Sequence, residues 1–226
     1  MTGIDYRVVL FDLDGTLSDS APGILSSLER AFAEFEVPWV DPATARTLLG
    51  PPFWHSLPPL VGPDKVAEVV AAYRRHYVQG GAMFDTTRYD GVVEVLTALR
   101  GAGVRLAVAT SKPEAASVRI VRHLELDQYF ETICGDTLDG LRDTKALVVG
   151  EALRRLGNPD PAAVLMVGDR SHDVLGAAAH GIACAGVLWG YGGRAELENA
   201  GAEWLCARPA ELLELVAATA TAEQAG

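Results

Sequence analysis

Two carboxylates stand on alternate positions in Phe11-Asp12-Leu13-Asp14-Gly15-Thr16, directly after the apolar run Val8-Val9-Leu10. The stretch from Arg7 to Phe11 is short, β-branched and apolar, which predicts a strand covered on both faces, as in a parallel sheet. Asp12 and Asp14 then fall where that strand meets a turn, and Gly15 supplies the freedom for a sharp reversal. Carboxylates this close repel one another unless a cation or a proton lies between them. Mg²⁺ suits oxygen ligands of this kind, keeps several waters and commonly joins one or two carboxylates to a phosphate. The same residues also fit a plain turn in which one aspartate caps the following helix, so this motif alone leaves both readings open.

The elements that must position this pair recur along the chain. Strand-like runs each end in polar residues: Val104 to Ala109 before Thr110-Ser111-Lys112, Thr132 to Gly135 before Asp136, Val164 to Val167 before Gly168-Asp169, and Ile182 to Leu188 before Trp189-Gly190. Between them lie helical patterns at Asp90 to Arg100, Pro113 to Leu124, Lys145 to Leu156 and His172 to His180. Strands alternating with helices predict an α/β fold with a doubly wound parallel sheet, and ligands of such sheets bind at the carboxyl ends of the strands. Asp12, Asp14, Thr110 and Asp169 all fall at that edge.

From Ser18 to about Asp85 the alternation stops. Pro22 to Phe35, Pro42 to Leu49 and Pro63 to Gln79 read as helices with no strand between them. The expected organisation is therefore a core of residues 1–17 and 86–226 with an inserted helical domain, 18–85, as a lid over the sheet's edge. The loop Gly50-Pro51-Pro52-Phe53-Trp54-His55 is stiff and aromatic; it either reaches into the cleft to choose substrates or packs Phe53 and Trp54 within the lid. Arg46, Phe53, Trp54 and His55 are the candidate substrate contacts. The Ala- and Thr-rich tail after Ala217 is expected to fray.

Composition narrows the classes. Hydrophobic residues make up 49% and charged residues 22%, which excludes a disordered chain, and 226 residues suffice for one good-sized core plus an insertion. A formal charge of -11 disfavours nucleic acid and anionic membranes as partners, and requires a local cation to draw in any anionic substrate. No apolar stretch approaches the ~20 residues of a membrane span, and the first residues lack the pattern of a secretory signal. Cys134, Cys184 and Cys206 are odd in number and widely spaced, as expected of reduced thiols in a cytoplasmic protein. His55, His76 and His172 show no metal-ligand spacing.

Taken together the motifs resemble the haloacid dehalogenase superfamily, specifically its phosphoglycolate phosphatase-like and nucleotidase-like phosphatases with a helical cap. Phe11 to Thr16 matches the first motif, Val108-Ala109-Thr110-Ser111-Lys112-Pro113 the second, Lys145 the third, and Val167-Gly168-Asp169-Arg170-Ser171-His172-Asp173 the fourth. Tyr89-Asp90-Gly91-Val92, Gly190-Tyr191-Gly192-Gly193 and Asp139-Gly140-Leu141-Arg142-Asp143-Thr144-Lys145 also look like this group, although no proline follows Lys145 in the usual Lys-Pro arrangement. The resemblance implies a Rossmann-like core and an Mg²⁺-dependent phosphomonoester hydrolase acting on a small-molecule phosphate ester. Asp12 would be the nucleophile that becomes an aspartyl-phosphate, and Asp14 the acid and base. Mg²⁺ would be held by Asp12, the backbone carbonyl of Asp14 and Asp169, with Asp173 nearby. Thr110 and Lys145 would bind and balance the phosphoryl group, with backbone amides around Leu13, Asp14 and Ser111 completing the cradle. Asp169 and Asp173, four apart, could also merely cap and support the following helix.

A phosphomutase would use the same aspartate pair and differ in keeping water from the intermediate. A dehalogenase has no need of the acid at Asp14. A non-catalytic binding module on the same fold has no need of a nucleophile beside an acid.

Overall fold

The computed structural model describes residues 6–51, 53–137 and 141–220. In chain order they form β1 (Val8–Phe11), β2 (Ser18–Asp19), α1 (Ala21–Glu34), α2 (Pro42–Thr47), α3 (Phe53–Ser56), α4 (Pro58–Val61), α5 (Val66–Arg74) and β3 (Thr87–Arg88). There follow α6 (Val92–Gly101), β4 (Arg105–Pro113), α7 (Glu114–His123), β5 (Thr132–Asp136), α8 (Lys145–Arg155), β6 (Val164–Gly168), α9 (Ser171–Ala178), β7 (Ala183–Val187), α10 (Arg194–Ala200), β8 (Trp204–Cys206) and α11 (Glu211–Ala220). Two compact units result: one from the described residues up to Ser18 and from Arg88 onward, the other from Asp19–Thr87.

The first unit is built on a six-stranded sheet, ordered β5-β4-β1-β6-β7-β8, whose neighbours all run parallel. β1 pairs on one side with β4 and on the other with β6, and all four of its residues are buried, as its unbroken apolar run requires. The chain winds outward from β1 in both directions, which puts the switch point of the topology beyond the carboxyl end of β1, where Asp12 stands. Val8 and Leu10 share one core with Ala107, Met166, Val148, Val149 and Val174. Val9 and Phe11, on the alternate positions, turn to the opposite face. The three cysteines are buried free thiols.

Four elements of this unit depart from expectation. β4 runs on to Pro113 instead of ending at Ala109, but its pairing jumps: Ala109 faces Cys134 and Pro113 faces Asp136, so four steps along β4 match two along β5. This irregularity, like a bulge, turns the stretch Thr110–Lys112 out of the ladder. β8 and α10 follow Gly190-Tyr191-Gly192-Gly193, where β8 has only three residues and no readable period. α11 continues through Ala220, past the point of expected fraying, and the tail beyond it lies outside the described residues.

The second unit is helical, as its sequence predicts. α1 buries Ile24, Leu28, Ala31 and Phe32, and α5 buries Val69, Val70 and Tyr73; the two helices pack together. The single helix expected over Pro63 to Gln79 is instead a 3₁₀ turn at Pro63–Lys65, then α5, then a π-helical turn at Arg75–Gln79. β2 pairs with β3.

Candidate active site

The site grows from the end of β1. The Asp12 N–H donates to the Val167 carbonyl at 2.9 Å, which extends the sheet ladder by one rung and fixes the backbone of Asp12. The chain then reverses: Leu17 and Ser18 both donate their N–H groups to the Leu13 carbonyl, and Gly15 takes a φ of 83° that other residues adopt only with strain. Leu13 is fully buried, so it anchors the turn while the carboxylates on either side face polar surroundings.

Asp12 lies beside Asp169, at the end of β6, and Asp173, in the first turn of α9. One carboxylate oxygen from each lies within 4.8 Å of the others, and all three residues are buried. Lys145, the first residue of α8, places its Nζ 2.7 Å from Asp12 Oδ1 and 2.6 Å from Asp173 Oδ1. Three buried carboxylates against one ammonium leave negative charge in excess. Burial pushes the Asp12 carboxyl up to about 6, against the pull of Lys145 and with added repulsion from Asp173 and Asp14. Burial, followed by repulsion from Asp173 and Asp12, raises Asp169 as well. Burial works to lower the Lys145 pKa, but attraction to Asp12 and Asp173 overcomes it and holds the ammonium above its ordinary range. Hard oxygen donors, crowded and short of positive charge, fit a divalent cation such as Mg²⁺. Among the described residues this is the only group with such a ligand spacing.

Asp173 both caps a helix and lies in the acidic group. Its Oδ2 accepts the N–H of Arg170 at 3.0 Å and so caps α9, while its Oδ1 joins the cluster. Asp169 is held by the N–H of Tyr191 at 2.7 Å on Oδ2 and by the Thr16 hydroxyl at 3.3 Å on Oδ1. Tyr191 belongs to the Gly190-Tyr191-Gly192-Gly193 signature, whose sequence says less about chemistry than the four motifs do. A Cβ on Gly190 would stand 2.4 Å from that of Asp169, so the glycine lets this loop close directly over the aspartate.

Upstream of Lys145 the chain is tied down through Arg142. Arg142 pairs with Glu114 at 3.1 Å and reaches Glu151 at 3.7 Å, and its N–H donates to Thr137 Oγ1. Asp139 and Gly140 of that signature lie outside the described residues.

Asp14 is separated from the cluster. Its Oδ2 pairs with Lys112 Nζ at 2.9 Å, and its carboxylate is not among the three grouped for a metal. Thr110 is buried and its Oγ1 accepts the N–H of Lys112 at 3.2 Å. Because one lone pair is taken, the hydroxyl hydrogen turns elsewhere and can donate to an incoming oxygen. Ser111, between them, is exposed. Lys112 lies within the second motif, but a lysine at a strand end carries no signal of its partner.

The remaining candidates belong to the second unit. Arg46 is exposed on α2, and His55 and Trp54 are exposed on α3, Trp54 to 53%. Of the expected loop, Phe53 to His55 lie in the single helical turn α3, Gly50 and Pro51 are bends before it, and Pro52 lies outside the described residues. The Phe53 ring meets Tyr73 edge-on at 4.7 Å, so Phe53 packs within its own unit, the second of the two readings open to it. His76 pairs with Glu34 at 2.6 Å rather than with any metal-ligand set.

The close approach at Gly15 yields a prediction. A Cβ there would stand 2.3 Å from Asp169 Oδ2, at a positive φ. Gly15→Ala is expected to lose about 1–3 kcal/mol of stability from the backbone conformation alone, and to weaken Mg²⁺ binding by displacing Asp169. Thermal unfolding and calorimetric titration with Mg²⁺ check the two effects separately.

The model of the haloacid dehalogenase-like hydrolase family matches residues 9–187. Tyrosine-protein kinase PtkA of Mycobacterium tuberculosis is 46% identical over 191 residues, 84% of this chain; the match spans 65% of the length of that relative. A 5'-nucleotidase of Pseudomonas aeruginosa is 38% identical over 216 residues, covering 93% of this chain and 96% of the relative. Among solved structures, a haloacid dehalogenase-like family hydrolase from Streptococcus pneumoniae superposes with a TM-score of 0.87 at 29% identity, covering 92% of this chain and 97% of the other.

Proposed function

The chain belongs to the haloacid dehalogenase-like hydrolase family, and on that premise we propose that it is an Mg²⁺-dependent phosphomonoester hydrolase acting through an aspartyl-phosphate on Asp12. The observation that carries this reading is the division between two aspartates two residues apart. Asp12 lies in the buried cluster with Asp169, Asp173 and Lys145, while Asp14 is paired separately with Lys112. A nucleophile and an acid need different surroundings, and here each carboxylate has its own.

In this mechanism an oxygen of Asp12 attacks phosphorus and the ester P–O bond breaks. A proton on Asp14 passes to the leaving alkoxide, giving the free alcohol. Water then attacks the phosphorus of the aspartyl-phosphate, giving its proton to Asp14, and the P–O bond to Asp12 breaks. Inorganic phosphate leaves and both aspartates return to their starting forms. The Thr110 hydroxyl donates to a phosphoryl oxygen, and Lys145 offsets the charge that develops between Asp12 and the phosphoryl group. Asp12, Asp169 and the Asp14 carbonyl, with Asp173 close by, would hold Mg²⁺, which would supply charge neutralisation of the phosphoryl oxygens.

The substrate class is a small phosphate ester, with phosphoglycolate or a nucleoside monophosphate as the first candidates. The P. aeruginosa relative, matched over nearly its full length, bears the name 5'-nucleotidase and supports the second. Among the described residues no helix is long and apolar enough to cross a membrane. We assign the activity to the cytoplasm, where the three thiols stay reduced.

Phosphate release from a panel of metabolites, with Mg²⁺ and with chelator, tests the reading. Release from at least one small ester that stops on chelation is the expected result; no release from any ester overturns it. Appearance of an isomeric sugar phosphate without free phosphate would identify a mutase. The 46% identity to a protein named as a tyrosine kinase gives reason to add ATP and a tyrosine peptide to the panel. Labelled tyrosine in place of free phosphate would replace water by tyrosine as the acceptor.

A further inference from the structure

Lys112 is a second buried lysine at the sheet edge, and the mechanism above leaves its side chain without a task. It stands on the irregular stretch of β4, two residues after Thr110, where the pairing with β5 slips. Thr110 and Lys112 are buried while Ser111 between them is exposed, so the two share one face. The side chain is only 6% exposed, and its Nζ sits 2.9 Å from Asp14 Oδ2. Ordering a lysine side chain and stripping its ammonium of water are both unfavourable, and a buried ion pair is weak grounds for stability. Its position relative to the neighbouring charges supplies another reason. Asp14 lies two residues from Asp12 beside three clustered carboxylates, where repulsion drives it outward and a cation would draw its side chain inward.

We propose that Lys112 is a positioning residue that holds the Asp14 carboxylate apart from the acidic cluster, by one oxygen, so that the other faces the bridging oxygen of the ester and later the attacking water. This rests on the hydrolase reading and adds to it. Lys112 moves no proton itself and touches no reacting atom; it acts through Asp14. Its N–H on Thr110 Oγ1 makes the same residue orient the phosphoryl-binding hydroxyl, but that contact is backbone and survives replacement of the side chain.

The experiment separates the steps that need Asp14 from the one that does not. Phosphoenzyme formation is measured in single turnovers with p-nitrophenyl phosphate, whose leaving group needs no proton, and with the alkyl phosphate turned over best in the panel. For Lys112→Met the rate from the alkyl ester is expected to fall about 100-fold, within the range of lost general acid catalysis, and the rate from the aryl ester to change less than about threefold. Breakdown of the phosphoenzyme, common to both, should slow about 100-fold. Lys112→Arg should recover much of the loss, and in an Asp14→Asn background Lys112→Met should have no further effect. Equal losses from the two esters, or a further loss in that background, overturn the proposal. If Lys112→Met does not fold, Lys112→Gln is read against the same criteria. A wild-type protein inert toward every ester overturns the hydrolase reading instead, and this proposal with it.

Discussion

Asp12→Asn is expected to abolish turnover, by about 10⁴–10⁶-fold, the range seen when a covalent nucleophile is removed, while leaving the protein folded. The amide presents an oxygen of the same size to Lys145 Nζ, now 2.7 Å from Asp12 Oδ1, but it cannot form the acyl phosphate that the mechanism requires. The expected stability follows from the charges. Asp12, Asp169 and Asp173 bring three carboxylates together in a buried space with Lys145 as their shared ammonium, and burial already pushes Asp12 up to about 6. Removing one negative charge relieves repulsion, and Lys145 keeps its 2.6 Å contact with Asp173. In the absence of divalent cations the variant should therefore melt no lower than the wild type. In Mg²⁺ the order should reverse, because the wild type gains more from binding the ion. Acid quenching during turnover of a labelled ester should trap labelled protein with the wild type and none with the variant. A variant that retains more than about 1% of the wild-type rate would remove Asp12 from the nucleophile's role.

The parts of this site that could be read from the sequence are those fixed by the backbone. Apolar runs ending in polar residues locate the strand ends, and parallel pairing brings those ends to one edge, so Asp12, Thr110 and Asp169 share that edge; the strand order, with β4 and β6 flanking β1, makes them neighbours. Lys145 came only from resemblance, since a lysine at a helix start has no pattern of its own; the fold brings α8 against α9 and thereby sets Lys145 beside Asp173. What stayed hidden depends on side-chain direction across the sheet. Lys112, which pairs with Asp14, stands within the slip between Ala109 and Pro113, and a slip leaves no trace in hydrophobic periodicity. The role of Gly190 was hidden for a similar reason: a glycine marks a close approach, but not what is approached. In the second unit the aromatic residues were legible as a cluster. Whether Phe53 faces a ligand or Tyr73 was not, because both arrangements bury the same apolar ring.

Lys145→Met should damage the protein in two separable ways. Methionine matches the length of the lysine stem but leaves Asp12 and Asp173 without the ammonium that stands 2.7 and 2.6 Å from them. Removing one partner of a buried ion pair typically costs about 3–5 kcal/mol, so the metal-free variant should melt well below the wild type. The same loss removes a positive charge from the place where charge develops during phosphoryl transfer, and turnover should fall by about 10²–10³-fold. If the activity loss merely followed the loss of stability, restoring stability would restore activity. Adding Asp12→Asn or Asp173→Asn to Lys145→Met provides that control, because each removes one of the carboxylates left unpaired. Both double variants should recover part of the melting temperature, showing the coupling expected of groups in direct contact. Neither should recover turnover: the first lacks the nucleophile, and the second still lacks the cation beside it. Recovery of full turnover in the Lys145→Met/Asp173→Asn variant would instead reduce Lys145 to a structural partner of Asp173, and would leave the phosphoryl charge to be balanced by the metal and the Thr110 hydroxyl.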